Sequence, residues 1–308
     1  MTIQQLRYIV AIDQYRNFGK AAVACDVTQS TLSLMVKKLE EELDVRIFTR
    51  EVFPLEPTEI GRKVIAKAKE VLYNVDQIAE LTQNEKHILQ GTLSVAMIST
   101  LAPVLVAGLF KYIGTKCPAV QLQTEEMLSE TIKDKLHKAE IDMGIMASPV
   151  NDPGLLEIPL FTERFFAYVS DDDPAYQLDT ISFNEIVDRP LWIMKKGVRQ
   201  YSSAAIRDDQ SASYEKYFEG GRVSALLEIV NEMGGMTIIP ETHLALILYS
   251  WQKNVREMVN PTRSRTISLV IRQDYIHEQM LNLVIKAVKA SIPASLIDSG
   301  IKKDHIRL

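Results

Sequence analysis

The chain has 308 residues, 46% of them hydrophobic and 24% charged, with a formal net charge of −5. Such a chain can bury a core in two or three units, and its balance excludes disordered, collagen-like and disulfide-rich classes. No apolar run approaches the ~20 residues of a membrane span, and the mild acidity excludes polyanion binding by bulk charge while permitting a local basic face.

Residues 1–58 are dense in short helical patterns. Thr2 with Gln5 matches a capping box, and Leu6, Ile9, Val10 and Ile12 give a first helix its apolar side. Phe18, Ala21 and Ala22 begin a short second helix with small residues where a neighbour must come close. Cys25, Asp26 and Val27 then make a tight connection. Thr28 is a natural N-cap for a third helix, in which Leu32, Met35, Val36, Leu39 and Leu43 fall at helical spacing. Val45 to Phe48 predicts a short strand. Arg50 to Pro57, carrying Pro54 and Pro57, predicts a loop that turns back.

Thr58 caps a long run in which Ile60, Val64, Ala68, Val71, Val75, Ile78 and Thr82 step by fours and threes. The run lasts roughly seven to eight turns and resembles a coiled-coil seam. A stripe this long predicts a second copy of the chain as its partner. A helix lying on its own domain is the alternative.

From Gly91 strands alternate with helices. Strand patterns cover 93–98, 120–123, 141–146, 165–169, 191–194, 237–239 and 267–272. Helical patterns cover 103–115, 129–139, 182–188, 199–208, 224–233, 241–248 and 276–290. The alternation predicts an α/β architecture with parallel sheets, large enough for two lobes.

The opening three helices have a specific physical reading: a small-residue helix, a tight turn and a second helix form a helix-turn-helix. With the apolar side inward, Gln29, Ser30, Thr31, Ser33, Leu34 and Lys37 lie outward behind Thr28. Gln, Ser and Thr hydrogen-bond base edges, and Leu34 can meet a thymine methyl. Lys20, Lys37, Lys38, Arg46, Arg50 and Arg62 would ring that face with charge for phosphates. A bare three-helix bundle would share the apolar spacing.

Here the residues resemble a family. Ala21-Ala22, Thr28-Gln29-Ser30-Thr31-Leu32-Ser33, Leu39-Glu40, Leu43 and Phe48-x-Arg50 are similar to the winged helix-turn-helix signature of LysR-type transcriptional regulators. The likeness continues through Pro57-Thr58-Glu59-Ile60-Gly61, with Ser30 where that family usually has Pro and Asp44 where Gly is common. The resemblance implies a DNA-binding domain at 1–58, a dimerising linker helix at 59–90 and a two-lobed effector domain, similar to periplasmic binding proteins, at 91–308. Lobe I would comprise about 91–162 and 266–300, and lobe II about 163–265. It also implies a homodimer, and a tetramer built from it, on double-stranded DNA with an imperfect palindrome. A small-molecule effector would bias DNA bending.

Ser99 and Thr100 follow the first effector-domain strand, and Ser129 stands at the expected N-cap of the next helix. With Ser202 and Ser203 these hydroxyls could converge on a small polar or anionic ligand, although each taken singly reads as a helix cap. The family resemblance places its effector pocket at Ser99, Thr100 and Ser129. The wording is most similar to the OxyR-like, peroxide-sensing branch, which depends on a second-lobe cysteine and a resolving partner. No cysteine follows Cys117 in this chain, so that disulfide switch is chemically absent. Arg199 in that stretch suggests a pocket for an anion, or else a solvated surface arginine. Cys25 and Cys117 read as packing residues, and their sparseness predicts a reducing cytoplasm. Five scattered histidines predict no metal site, no cofactor motif occurs, and the absence of a base–nucleophile pair argues against an enzyme. The rival from another class is a small-molecule-binding protein whose helical head serves only association.

Overall fold

A computed structural model describes residues 1–49, 55–84, 89–182, 186, 191–194, 215–218, 222–260, 262–275 and 277–297. The chain divides into two units, residues 1–88 with 135–140 and residues 89–134 with 141–308.

In the first unit α1 (Ile3–Tyr15) opens with the predicted capping box: the Thr2 side chain accepts from the Gln5 amide while the Gln5 side chain accepts from that of Thr2. Helix α2 (Phe18–Ala24) is capped by Asn17 and α3 (Gln29–Leu43) by Thr28. Between them the Val27 N–H reaches the Ala22 carbonyl at 3.0 Å, and Asp26 takes a left-handed φ of 52°. Asp44 ends α3 at φ 52° and ψ 39°. Glycine reaches that conformation most easily, but a short acidic side chain tolerates it too, so the departure at Asp44 leaves the turn intact. Ile9, Ile12, Ala21, Leu32, Val36, Leu39 and Phe48 form a sealed core.

Strands β1 (Phe48–Thr49) and β2 (Glu56–Pro57) pair antiparallel as a small wing. The strand starts later than Val45 because the backbone of 46–47 bonds to side chains on either side instead of to a ladder. Thr58 caps α4 (Glu59–Asn84), accepting from the Gly61 N–H at 2.9 Å. The apolar stripe of α4 divides between two surroundings. Ala68 and the neighbouring Ile65 enter the head's own core, whereas Ile60 and Val71 are 45% and 42% exposed. The helix therefore lies partly on its own domain and keeps apolar side chains facing outward.

From residue 89 the chain forms β3 (Gly91–Met97), α5 (Ala102–Lys116), β4 (Val120–Glu126), α6 (Ser129–His137, its last three residues assigned to the first unit), β5 (Met143–Ala147) and β6 (Leu155–Val169). Then come β7 (Thr180–Ser182), β8 (Leu191–Met194), β9 (Glu215–Phe218), α7 (Val223–Met233), β10 (Met236–Pro240), β11 (Val255–Val259), β12 (Ser264–Arg272) and α8 (Glu278–Ser291). The predicted helix at 241–248 is instead a 3₁₀ turn, Glu241–Leu246, followed by another at Tyr249–Asn254. The helices predicted at 182–188 and 199–208 fall almost wholly outside the described residues.

The sheets are mixed rather than parallel. Strands β4, β3 and β5 run parallel, but β12 is antiparallel to both β5 and β6, and β10 is antiparallel to β6. Two sheets share β6: residues 155–164 pair with β12 in the first, and residues 165–169 pair with β10 in the second. This strand and the return into β12 carry the chain between two α/β lobes, each with its own apolar centre. Phe166, Tyr168, Leu227, Val230 and Ile239 lie in that of the second. Pro159 conceals the first half of β6 in the sequence. It is accommodated because that half is an edge with a register shift beside it, so no ladder N–H is required there.

Candidate DNA-binding face and effector site

On α3 the helical period decides which side chains face solvent. Leu32, Val36 and Leu39 are fully buried, Met35 and Ser33 are half-buried, and Gln29, Ser30, Thr31, Leu34, Lys37 and Lys38 are exposed. Lys20 on α2 is exposed as well, while Arg50 lies outside the described residues. Leu34 is 54% exposed, which a helix serving only its own core would not require. The N-terminal hydroxyls are partly engaged already: Thr28 Oγ1 accepts from the Thr31 N–H at 3.2 Å and lies 2.9 Å from Ser30 Oγ and 2.8 Å from Thr31 Oγ1. Thr28 therefore shapes the helix start, and Gln29, Leu34, Lys37 and Lys38 offer long outward side chains. Lys37 is shared with Glu41 at 3.6 Å, an exposed pair that water screens. An open cleft of about 360 Å³ lies at the C-terminal end of α3 and the turn that follows it, lined by Lys37, Glu40, Glu41, Asp44, Val45 and Arg46. Its walls carry three carboxylates against two cations, which suits solvent rather than an apolar ligand.

Polar contacts tie α1 to α3 and to α4. Gln5, 5% exposed, donates from Nε2 to the Met35 carbonyl at 3.1 Å, tying the start of α1 to the middle of α3. The Lys69 ammonium on α4 sits 3.3 Å from the Asp13 carboxylate on α1.

In the second unit Ser99 and Ser129 are half-buried and Thr100 is 2% exposed. Neither Thr100 nor Ser129 acts as the expected cap. Leu101 stands at the N-cap of α5 with no side-chain bond, and Ser129 is the first residue of α6, where the Ile132 N–H bonds the Leu128 carbonyl. Thr100 Oγ1 instead accepts from Arg265 Nη2 at 3.2 Å. Arg199, Ser202 and Ser203 lie outside the described residues.

Sequence reasoning missed the group behind Thr100. Glu163 on β6 is fully buried and Arg265 on β12 is 7% exposed. Arg265 Nε donates to Glu163 Oε1 at 2.7 Å, while the Thr242 N–H and hydroxyl donate to Glu163 Oε2 at 3.1 and 2.7 Å. Opposite charges embedded in two apolar strand patterns were the available signal. Beside them His243 is 5% exposed, and burial first, then the Arg265 charge, pushes its pKa from 6.5 to about 3. Its Nδ1 meets no hydrogen-bond partner among the described residues.

A pH dependence follows. Between pH 6.5 and about 3 the unfolded chain protonates His243 and the folded chain does not. The stability present above pH 6.5 is therefore lost as pH falls through that window, by up to about 1.4 kcal/mol per pH unit. Urea unfolding of the wild type from pH 7.5 to 4.5 is expected to show this limb, and His243→Gln to flatten it. Parallel limbs would mean that His243 takes up its proton in the folded state.

The chain matches the family described as the LysR substrate binding domain over residues 86–292. It also matches the bacterial regulatory helix-turn-helix protein, lysR family, over residues 3–62. The chain belongs to the LysR family. Its LysR-type relatives include a hydrogen peroxide-inducible genes activator of Haemophilus influenzae, 26% identical over 275 residues, covering 88% of this chain and 91% of that protein. Another is the DNA-binding transcriptional dual regulator OxyR of Escherichia coli, 24% identical over 277 residues, covering 88% of this chain and 90% of that one. Among solved structures, a full-length OxyR variant from Pseudomonas aeruginosa superposes with a TM-score of 0.80 at 29% identity, over 94% of this chain and 98% of that one. The protein is thus a LysR-type DNA-binding transcription regulator with an effector-binding domain, and a head that serves only association is set aside. The LysR family consists of transcriptional regulators, not enzymes. No helix among the described residues is long and apolar enough to cross a membrane.

Proposed function

We propose that this LysR-type regulator binds an imperfect palindromic operator as a dimer joined through α4, with two dimers forming the working tetramer in the cytoplasm. One α3 of each dimer enters each of two successive major grooves. Gln29, Ser30, Thr31, Ser33 and Leu34 read base edges, while Thr28 sets the helix start. Lys20, Lys37, Lys38 and Arg50 hold phosphates. The observation that carries this reading is the outward polar face of α3 with Leu34 standing in its middle. The exposed Ile60 and Val71 on α4 supply apolar surface for the second protomer.

The effector is a small molecule with an anionic or hydrogen-bond-accepting group, held by Ser99, Thr100 and Ser129 of lobe I and by Arg199, Ser202 and Ser203 of lobe II. Supporting the acceptor chemistry is the Arg265–Thr100 bond: a hydroxyl that accepts from a guanidinium is a stronger donor through its own O–H. The effector acts by binding rather than by thiol oxidation, and the protein performs no turnover. Cys25 is half-buried, and burial followed by the Asp26 charge pushes its thiol pKa up, away from the reactive thiolate. Cys117 closes α5.

Fluorescence anisotropy with the regulator's own upstream DNA tests the reading. Gln29→Ala is expected to cost about 1–3 kcal/mol at its cognate base pair and little elsewhere. Lys37→Ala should weaken binding to every duplex and lower the salt slope by about 1. A Gln29→Ala protein with unaltered sequence preference would remove that residue from the reading face. Metabolites that raise the melting temperature of the full chain identify the effector.

A further inference from the structure

The segment joining α3 to the wing is held by its backbone from both sides. Glu40, in the last turn of α3, accepts through one oxygen from the Ile47 N–H at 2.7 Å and the Phe48 N–H at 3.3 Å. From the other side Thr58, the cap of α4, donates its N–H to the Ile47 carbonyl at 2.9 Å and its hydroxyl to the Arg46 carbonyl at 2.6 Å. The placement of Glu40 is unusual for a helix. A carboxylate in the final turn faces the negative end of the helix dipole, which disfavours it by about 0.3–1 kcal/mol. The two amides offset that cost, since a charged acceptor makes the stronger class of hydrogen bond. The side chains of Ile47 and Phe48 are sealed in the head's core, so the segment cannot shift without disturbing that core.

We propose that Glu40 is a positioning residue for DNA binding, setting the wing at a fixed offset from the α3 reading face so that both meet the duplex together. Glu40 touches no DNA in this arrangement. It acts through the backbone of 47–48, which joins the exposed Arg46 to the first wing strand. The inference rests on the reading of α3 as the groove-entering helix and adds to it the joint that orients the wing.

The test uses the full chain, a duplex of its own upstream DNA and a scrambled duplex of equal length, with affinities measured from about 50 to 300 mM KCl. Glu40→Ala should weaken binding to both duplexes by about tenfold and reduce the salt slope by about 1 for each phosphate that the wing no longer reaches. The ratio between the two duplexes should stay within about twofold, because α3 still reads the bases. Glu40→Gln keeps the accepting oxygen and should stay within about threefold of wild type with its slope intact. If Glu40→Ala does not fold, Glu40→Asp replaces it, drawing the acceptor back by one methylene and lowering the slope in the same way. A slope unchanged in the folded variant overturns the proposal, as does a glutamine variant as impaired as the alanine or aspartate one. A wild-type chain that binds neither duplex overturns the α3 reading on which the proposal stands.

Discussion

Gly61→Ala is expected to destabilise the DNA-binding head by about 2–4 kcal/mol and to abolish operator binding, although alanine is the better helix former. A Cβ at this position would fall 2.0 Å from the Ile47 carbonyl oxygen and 2.8 Å from its carbon, both backbone atoms with no rotamer into which to retreat. Overpacking alone costs about 1–3 kcal/mol. The displaced strand would also surrender its bonds to Thr58 and Glu40, each worth about 1 kcal/mol. Against this stands a helix-propensity gain of about 1 kcal/mol. Gly114 in α5 supplies the control, because a Cβ there meets nothing within 4 Å. Gly114→Ala should stabilise by about 0.5–1 kcal/mol. Thermal unfolding followed by circular dichroism reads both changes, and equal effects of the two substitutions would show that the close approach of α4 to the wing does not persist in solution.

The DNA-binding half was legible because its determinants are local. A cap at Thr28 and apolar residues stepping by three and four settle which side of α3 is wet, whatever else the chain does. Strand β8 and helix α7 were legible for the same reason, as short runs with one dominant period. The failures are the non-local features. The first half of β6, residues 155–164, carries Pro159 and is an edge strand with a register shift, so it lacks a regular pattern of its own. Strand β7 pairs with β11, which itself lies against β6, and both carry weak patterns of their own. The stripe on α4 mixes the buried Ala68 with the exposed Ile60 and Val71, so its periodicity could not apportion it between the head and a second chain. Around Thr100 the gap was larger. Its partner Arg265 lies 165 residues away and Glu163 lies 102 residues from Arg265, so no window of sequence contains the group.

That buried group supports a second large effect. Glu163→Gln is expected to cost the regulatory domain about 3–5 kcal/mol, because it removes the carboxylate that faces the Arg265 guanidinium where that side chain is only 5% exposed. The loss would exceed that of Thr242→Val, about 1–1.5 kcal/mol, which removes a hydroxyl donor but leaves the ion pair and the Thr242 N–H bond. Replacing Glu163 and Arg265 together by methionine should cost much less than the sum of the single changes, since neither charge is then stranded. The position of the pair gives this energy a consequence for signalling. Glu163 and Arg265 face each other where β6 and β12 cross between the lobes, with Thr242 following β10 of lobe II and Thr100 following β3 of lobe I. A rotation of one lobe against the other would strain these bonds, so the pair resists it. Denaturant unfolding of the two single variants and the double variant decides the matter. If Glu163→Gln unfolds within about 1 kcal/mol of wild type, the charge of Arg265 is met by water rather than by Glu163, and the lobes are not joined by this pair.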